Sequence, residues 1–304
     1  MRFPERAPPN ALLLVACAFW GAGTVLNKAL LASLPPVTLL FLLLAPSAAA
    51  LWTATLLSHV RFPKSSLLAP IVLLGLLNPG VVYTLSLIGL SRVSASVTTL
   101  LWASEPLMIL ILAAVLLREP VSGRLLAVLA LGVVGVAFVA GLAEGLHGAG
   151  SEPVGVLLLV LAVLCCATYT VISRGLSGSA DPLSIVTIQQ TAGLGWSLAF
   201  LSAETRYGGW TDIANIGLPQ LATAALSGLM YYAAAYWLYL AALRVVPAGV
   251  AGAYFNAIPV FGVGLAIVFL GETLTAAQWA GVAAILISVT GLALLTRQAG
   301  KPLL

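Results

Sequence analysis

Ten predominantly apolar runs of about 20 residues follow one another along this chain, joined by short connections. A run of that length suits a hydrocarbon core of roughly 30 Å when it is helical, at about 1.5 Å per residue. The runs cover approximately residues 10–31, 37–58, 67–90, 94–117, 122–141, 154–174, 183–203, 219–242, 248–270 and 275–295. Backbone surrounded by lipid must satisfy its own hydrogen bonds, which leaves helices or closed barrels. The alternating ten-residue pattern of barrel strands is absent from these runs. The fold class expected is therefore an all-α polytopic membrane protein with ten transmembrane helices. Length alone would allow two soluble domains, but only 7% of the 304 residues are charged and 61% are apolar, with a mean hydropathy of +1.11. A soluble surface needs about 25% charged residues.

Basic residues set the orientation. With the N-terminus in the cytoplasm, Arg2, Arg6, Arg61, Lys64, Arg118, Arg124, Arg174, Arg244, Arg297 and Lys301 lie inside, Arg92 and Arg206 lie outside, and Lys28 falls within a run. The positive-inside rule then predicts N-in and C-in, in keeping with an even number of spans. Arg2 and Arg6 give the first run the flank of a secretory signal, but it is too long for one and lacks a clear small-residue cleavage site. It is expected to remain in the mature protein. The net charge of +4 is explained by loop arginines with no basic stripe interleaved with aromatics, so nucleic acid is not an expected partner.

The chain also repeats itself. Laying residues 83–119 over 236–272, an offset of 153, pairs Tyr83 with Tyr236, Leu90 with Leu243, Val97 with Val250, Pro106 with Pro259 and Glu119 with Glu272; thirteen of the 37 pairs are identical. A fainter register links Trp20, Val25, Lys28 and Leu30 with Cys166, Val171, Arg174 and Leu176. Two units of five helices follow, residues 1–150 and 151–304. Five is odd, so the second must enter the membrane upside down relative to the first. Inverted repeats of this kind mark secondary transporters, whose substrate sites lie near the midplane between the halves.

Trp20, Gly21 and Lys28, the stretch from Pro106 to Glu119, and the stretch from Pro259 through Gly271 and Glu272 to Gln278, Gly281 and Gly291 resemble the two repeated blocks of the drug/metabolite transporter superfamily of the EamA type. The resemblance spans nearly the whole chain. It implies two inverted five-helix repeats around a central cavity and export of metabolites, often amino acids, across the bacterial inner membrane. Among members the pattern looks closest to the YddG-type exporters of aromatic amino acids. Cys166 stands where the family often carries tryptophan, and Arg118 where the first repeat commonly has glycine.

Paired helix interruptions in the two halves point to a transporter's binding site. Pro106 and Pro259 form such a pair. Each removes a backbone hydrogen bond and crowds the carbonyl four residues earlier, Trp102 and Phe255 respectively. Asn78, Pro79 and Gly80 interrupt the third helix as well, and Pro79, Pro106 and Pro259 are expected hinges. Glu105 lies about eleven residues, roughly 16 Å, from the outer end of the fourth helix. A charge there costs at least ~2.5 kcal/mol. It either recognises a substrate ammonium group, carries protons, pairs with Lys28, or stays protonated in a hydrogen bond. Lys28 itself suits snorkelling to the interface. Trp102 and Tyr83, with Tyr232, Tyr236, Tyr254 and Asn256 from the eighth and ninth helices, are candidates for an aromatic-lined pocket suited to an amphipathic zwitterion or an aromatic ring. Trp20, Tyr169 and Asn27 come next. Gln189 and Gln190 have a plainer use in bonds between helices, and Gly132, Gly135, Gly281 and Gly291 in close helix approach.

Other functions fit less well. No GxxxxGK[ST] loop indicates ATP coupling. An intramembrane enzyme needs clustered nucleophiles, acids or metal ligands, whereas His59 and His147 sit in loops and Glu105 stands alone. Channels usually assemble filters from symmetric chains. Cys17, Cys165 and Cys166 fall inside runs without metal-ligand spacing and are expected to pack as small apolar residues. No cofactor or metal is expected. The partners expected are the bilayer and a small metabolite, an amino acid first, with other metabolites, nucleosides or organic cations as alternatives. The repeat supplies an internal two-fold, so a monomer suffices.

Overall fold

The computed structural model describes residues 9–58, 60, 62–105, 108, 109, 112, 123–139, 152–173, 180–206, 216–243, 254, 255 and 257–298. Among them there are helices and no strands. The first half holds α1 (Pro9–Leu30), α2 (Pro36–Leu57), α3 (Ser65–Gly75), the π-helical turn π1 (Leu76–Val81), α4 (Val82–Arg92), α5 (Ala95–Trp102) and α6 (Gly123–Val139). The second half holds α7 (Pro153–Ser173), α8 (Pro182–Arg206), α9 (Leu218–Gly228), the π-helical turn π2 (Leu229–Ala234), α10 (Ala235–Leu243), α11 (Ala257–Leu270) and α12 (Ala276–Gln298). Four helical segments among the described residues are long and apolar enough to cross a membrane by themselves: Ala11–Leu30, Pro36–Leu57, Ser65–Arg92 and Pro153–Ile172.

The third of these segments is α3, π1 and α4 run together. Within π1 the Asn78–Pro79 peptide is cis, and Asn78 sits at φ −137°, ψ 112°, outside the helical region that a following proline disfavours. The turn π2 stands 153 residues further on, at both its ends. It contains no proline, and its backbone stays helical while the turn widens. Each π turn is preceded by a glycine, Gly75 or Gly228, pressed against a neighbouring helix. A Cβ on Gly75 would stand 2.6 Å from the Cα of Gln189 in α8, and one on Gly228 2.2 Å from the carbonyl oxygen of Leu43 in α2. Lipid offers no hydrophobic drive between helices, so such close backbone approach is what lets dispersion hold them together. The same device joins α6 to α12, where a Cβ on Gly135 would come within 2.9 Å of the Gly281 carbonyl.

Helix ends at one face are tied by charged side chains. The Glu204 carboxylate at the end of α8 accepts hydrogen bonds from Val37 N–H (3.0 Å), Thr38 N–H (2.8 Å) and the Thr38 hydroxyl (2.7 Å) at the start of α2. Glu272, just past α11, accepts from Ala95 N–H (2.7 Å) and Ser96 N–H (2.8 Å) in the first turn of α5. First-turn N–H groups lack intrahelical partners, and the helix dipole favours an anion there. At the same face Lys28 Nζ donates to the Leu90 carbonyl (2.8 Å) at the end of α4, and Arg92 pairs with Glu152 across 2.9 Å.

Candidate functional site

Side chains flanking the two π turns meet at the centre of the bundle. Tyr83, two residues past π1, is buried and its hydroxyl lies 2.7 Å from that of Tyr236, two residues past π2. Its ring stacks on Trp102 (centroids 6.1 Å, 21°) and meets the edges of Tyr232 (4.8 Å) and Tyr231 (5.6 Å). Trp102 Nε1 donates to Ser86 Oγ at 3.2 Å. Trp20 covers Tyr236 from α1, with its ring 5.5 Å from both Tyr236 and Phe255.

Two narrow cavities flank the Tyr83–Tyr236 pair. The first, toward the charge-tied face, is lined by Tyr83, Thr24, Asn27, Ser86, Thr98, Trp102, Tyr231 and Tyr232, with Leu87 and Leu90. The second, toward the opposite face, is lined by Tyr236, Asn78, Pro79, Tyr169, Val186, Gln189 and Gln190. Each has room for about one water molecule. Their polar groups are hydroxyls, amides and the Trp102 indole, and among the described residues no charged side chain lines either one. Tyr169 OH donates to Gln189 Oε1 (2.9 Å), and Ser47 Oγ to Gln190 Oε1 (3.5 Å), so both glutamines do bond between helices. The hydroxyl of Tyr232, a fully buried residue, has no hydrogen-bond partner among the described residues.

Glu105 follows the turn that ends α5 and accepts a hydrogen bond from Thr170 Oγ1 at 3.4 Å. Lys28 is not its partner; that ammonium is held by the α4 carbonyls. Nearby, Asn78 Nδ2 donates to Cys166 Sγ at 3.4 Å, a polar use for a thiol expected only to pack. Cys17, Cys165 and Cys166 are free, and no group of three or more His, Cys, Asp or Glu among the described residues could hold a metal.

Of the residues singled out from the sequence, Asn78, Tyr83, Trp102, Tyr232, Tyr236 and Tyr169 line the two cavities, Trp20 backs them, and Glu105 sits beside Cys166 and Thr170. Tyr254 packs with Leu13 and Ala242 and lines neither cavity. Asn256 and Pro106 lie outside the described residues. Pro79 is within π1 and Pro259 in the first turn of α11. The helix α5 stops at Trp102, and the Phe255 carbonyl, its counterpart 153 residues on, accepts from Ile258 N–H at 3.0 Å in a tightened turn. Sequence reasoning missed Tyr231, Thr24, Ser86 and Thr98, and used Gln189 and Gln190 only as cross-helix bonds. One signal was at hand: adding 153 to Asn78 and Pro79 gives Tyr231 and Tyr232.

Comparisons with known proteins agree with this architecture. The sequence profile of the EamA-like transporter family matches the chain twice, at residues 8–141 and 153–294. A Bacillus subtilis (strain 168) protein described as the uncharacterized transporter YetK is 28% identical over 211 residues, covering 66% of this chain. The match spans 60% of that relative's length. A crystal structure of another protein superposes with a TM-score of 0.64 at 19% identity, covering 96% of this chain and 99% of the other; at that identity the likeness concerns the fold alone. The two profile matches account for nearly the whole sequence, and the chain belongs to the EamA-like transporter family.

Proposed function

We propose that this transporter is a ten-helix secondary carrier, with both termini on the cytoplasmic side of the bacterial inner membrane, that exports amino acids, aromatic ones included, by alternating access. The observation that carries this reading is a pair of helix irregularities at one offset, a kink at 76–81 and a π-helical turn at 229–234, flanking a central aromatic and polar cluster. Irregular backbone at membrane depth is tolerated where it lines a cavity, and corresponding breaks in two repeats mark the binding site of a carrier. Inversion of the two repeats, residues 1–150 and 151–304, is supported by their odd helix number. A two-fold relation between the halves is supported too by contacts that exchange, Gly75 on Gln189 against Gly228 on Leu43, where Leu43 and Gln189 stand 146 residues apart like Trp20 and Cys166. The ten-to-two distribution of loop Lys and Arg supports the orientation.

Asn78, Tyr83, Trp102, Tyr232 and Tyr236, with Trp20 and Tyr169 behind them, form the substrate site. Their rings take an apolar or aromatic side chain and their hydroxyls and amides take the polar end. Glu105 is the carboxylate available to an ammonium group. Pro79, Pro106 and Pro259 are the hinges about which helix segments tilt.

Uptake of radiolabelled amino acids, nucleosides, sugar phosphates and organic cations into proteoliposomes holding the purified chain, with and without a pH gradient, tests this. Saturable amino-acid uptake with counterflow is expected. Saturable uptake of another class alone would overturn the substrate assignment, and flux without counterflow would overturn the carrier.

A further inference from the structure

We propose that the Tyr83–Tyr236 hydroxyl pair is the central barrier of the translocation route, and that a substrate's uncharged or zwitterionic polar end opens it by taking over that hydrogen bond. This rests on the carrier reading above. Residues 83 and 236 are equivalent under the 153-residue repeat, and a contact between two equivalent residues lies on the axis that relates them. The 2.7 Å contact therefore marks the pseudo-two-fold axis. One member lines the cavity toward the charge-tied face and the other lines the cavity toward the opposite face. The pair is the partition between them.

When a carrier built from inverted repeats exchanges its open face, the two repeats exchange conformations and the two cavities exchange roles. A contact on the axis maps onto itself, so it closes the centre in both states and keeps the empty carrier from leaking. Each cavity alone has room for about one water, too little for a metabolite; parting the two hydroxyls joins them. The displaced hydroxyls need new partners in a region without bulk water, and a ligand with both a donor and an acceptor supplies them. The hydroxyl of Tyr232, without a partner among the described residues and with its ring 4.8 Å from that of Tyr83, adds a third group able to receive it. With no charged side chain among the described residues that line the two cavities, an uncharged or zwitterionic head is matched and a phosphate is not.

The test uses the full chain without its three cysteines, carrying either Thr98→Cys from the first cavity or Val186→Cys from the second. A membrane-impermeant methanethiosulfonate is added from each face of sealed vesicles. With both tyrosines present, the two positions react from opposite faces only. With Tyr83→Ala and Tyr236→Ala together, each position reacts from both faces. Tyr83→Phe and Tyr236→Phe each remove the same hydrogen bond and leave the other hydroxyl without it, so either changes substrate exchange by about two- to tenfold, and their combination changes it by less than the product of the two. Reaction of both positions from a single face with the tyrosines intact would overturn the proposal. So would one-sided reaction in a folded double-alanine protein, or Phe effects that multiply in combination. If the double-alanine protein does not fold, the labelling with tyrosines intact and the Phe cycle still decide. Labelling requires no substrate, so its outcome is independent of which metabolites the uptake panel identifies.

Discussion

Gly228→Ala is expected to damage this protein out of proportion to the single methyl group it adds. The new Cβ would stand 2.2 Å from the carbonyl oxygen of Leu43, 2.9 Å from its carbonyl carbon and 3.0 Å from its Cα. Real Cβ atoms essentially never approach closer than 3.0 Å, so α2 and α9 must separate by about 0.8 Å, the shortfall at the oxygen. The obstacle is helical backbone, which cannot swing aside as a side chain would. Overpacking of this kind costs about 1–3 kcal/mol. The displacement also falls beside the buried Ser227–Asn27 hydrogen bond of 2.7 Å and immediately before the π turn that carries Tyr231 and Tyr232. Transport should therefore fall together with stability. Gly75→Ala, the repeat counterpart, meets Gln189 backbone at 2.6–2.7 Å and should behave alike. Gly195→Ala and Gly264→Ala meet nothing within 4 Å and serve as controls, expected to be neutral or stabilising by up to about 1 kcal/mol through helix propensity. The assay is the fraction of detergent-purified protein still monodisperse after graded heating. If Gly228→Ala and Gly75→Ala melt with the controls, the close backbone approach is not what holds these helices.

Three further substitutions address the helix ties and the site. Glu272→Ala strips two charge-accepting contacts from the first turn of α5 and should cost about 1–2 kcal/mol, with Glu272→Gln costing less; an unchanged thermal midpoint would refute the capping role. Trp102→Ala should weaken uptake of aromatic substrates more than of small ones, because it removes the ring stacked on Tyr83, whereas equal losses would indicate a packing defect. Glu105→Gln keeps an acceptor for Thr170 but removes the carboxylate, and should lower uptake of ammonium-bearing substrates or alter its pH dependence. Unchanged kinetics across pH in the folded variant would remove Glu105 from the mechanism.

Apolar run length and the 153-residue offset are properties of the one-dimensional chain, because membrane thickness sets the first and duplication the second. From them came the helical class, the two units, and Tyr83, Trp102, Tyr232 and Tyr236 as central aromatics. The break at π1 was legible because Asn78, Pro79 and Gly80 announce it. Its counterpart at π2 carries no such mark of its own and could be reached only through the 153-residue offset, since Leu229–Ala234 contains neither proline nor glycine and the widened turn coincides with Gly228 meeting the backbone of α2. The partners of charged residues were equally hidden. Glu204, Glu272 and Lys28 satisfy helix ends on elements far away in sequence, and only packing decides which orphaned N–H or C=O group a carboxylate or ammonium reaches. That Tyr83 and Tyr236 touch was likewise beyond the alignment that pairs them. A repeat establishes which residues are equivalent, but whether equivalent residues meet depends on where the axis passes, and helix packing alone sets that.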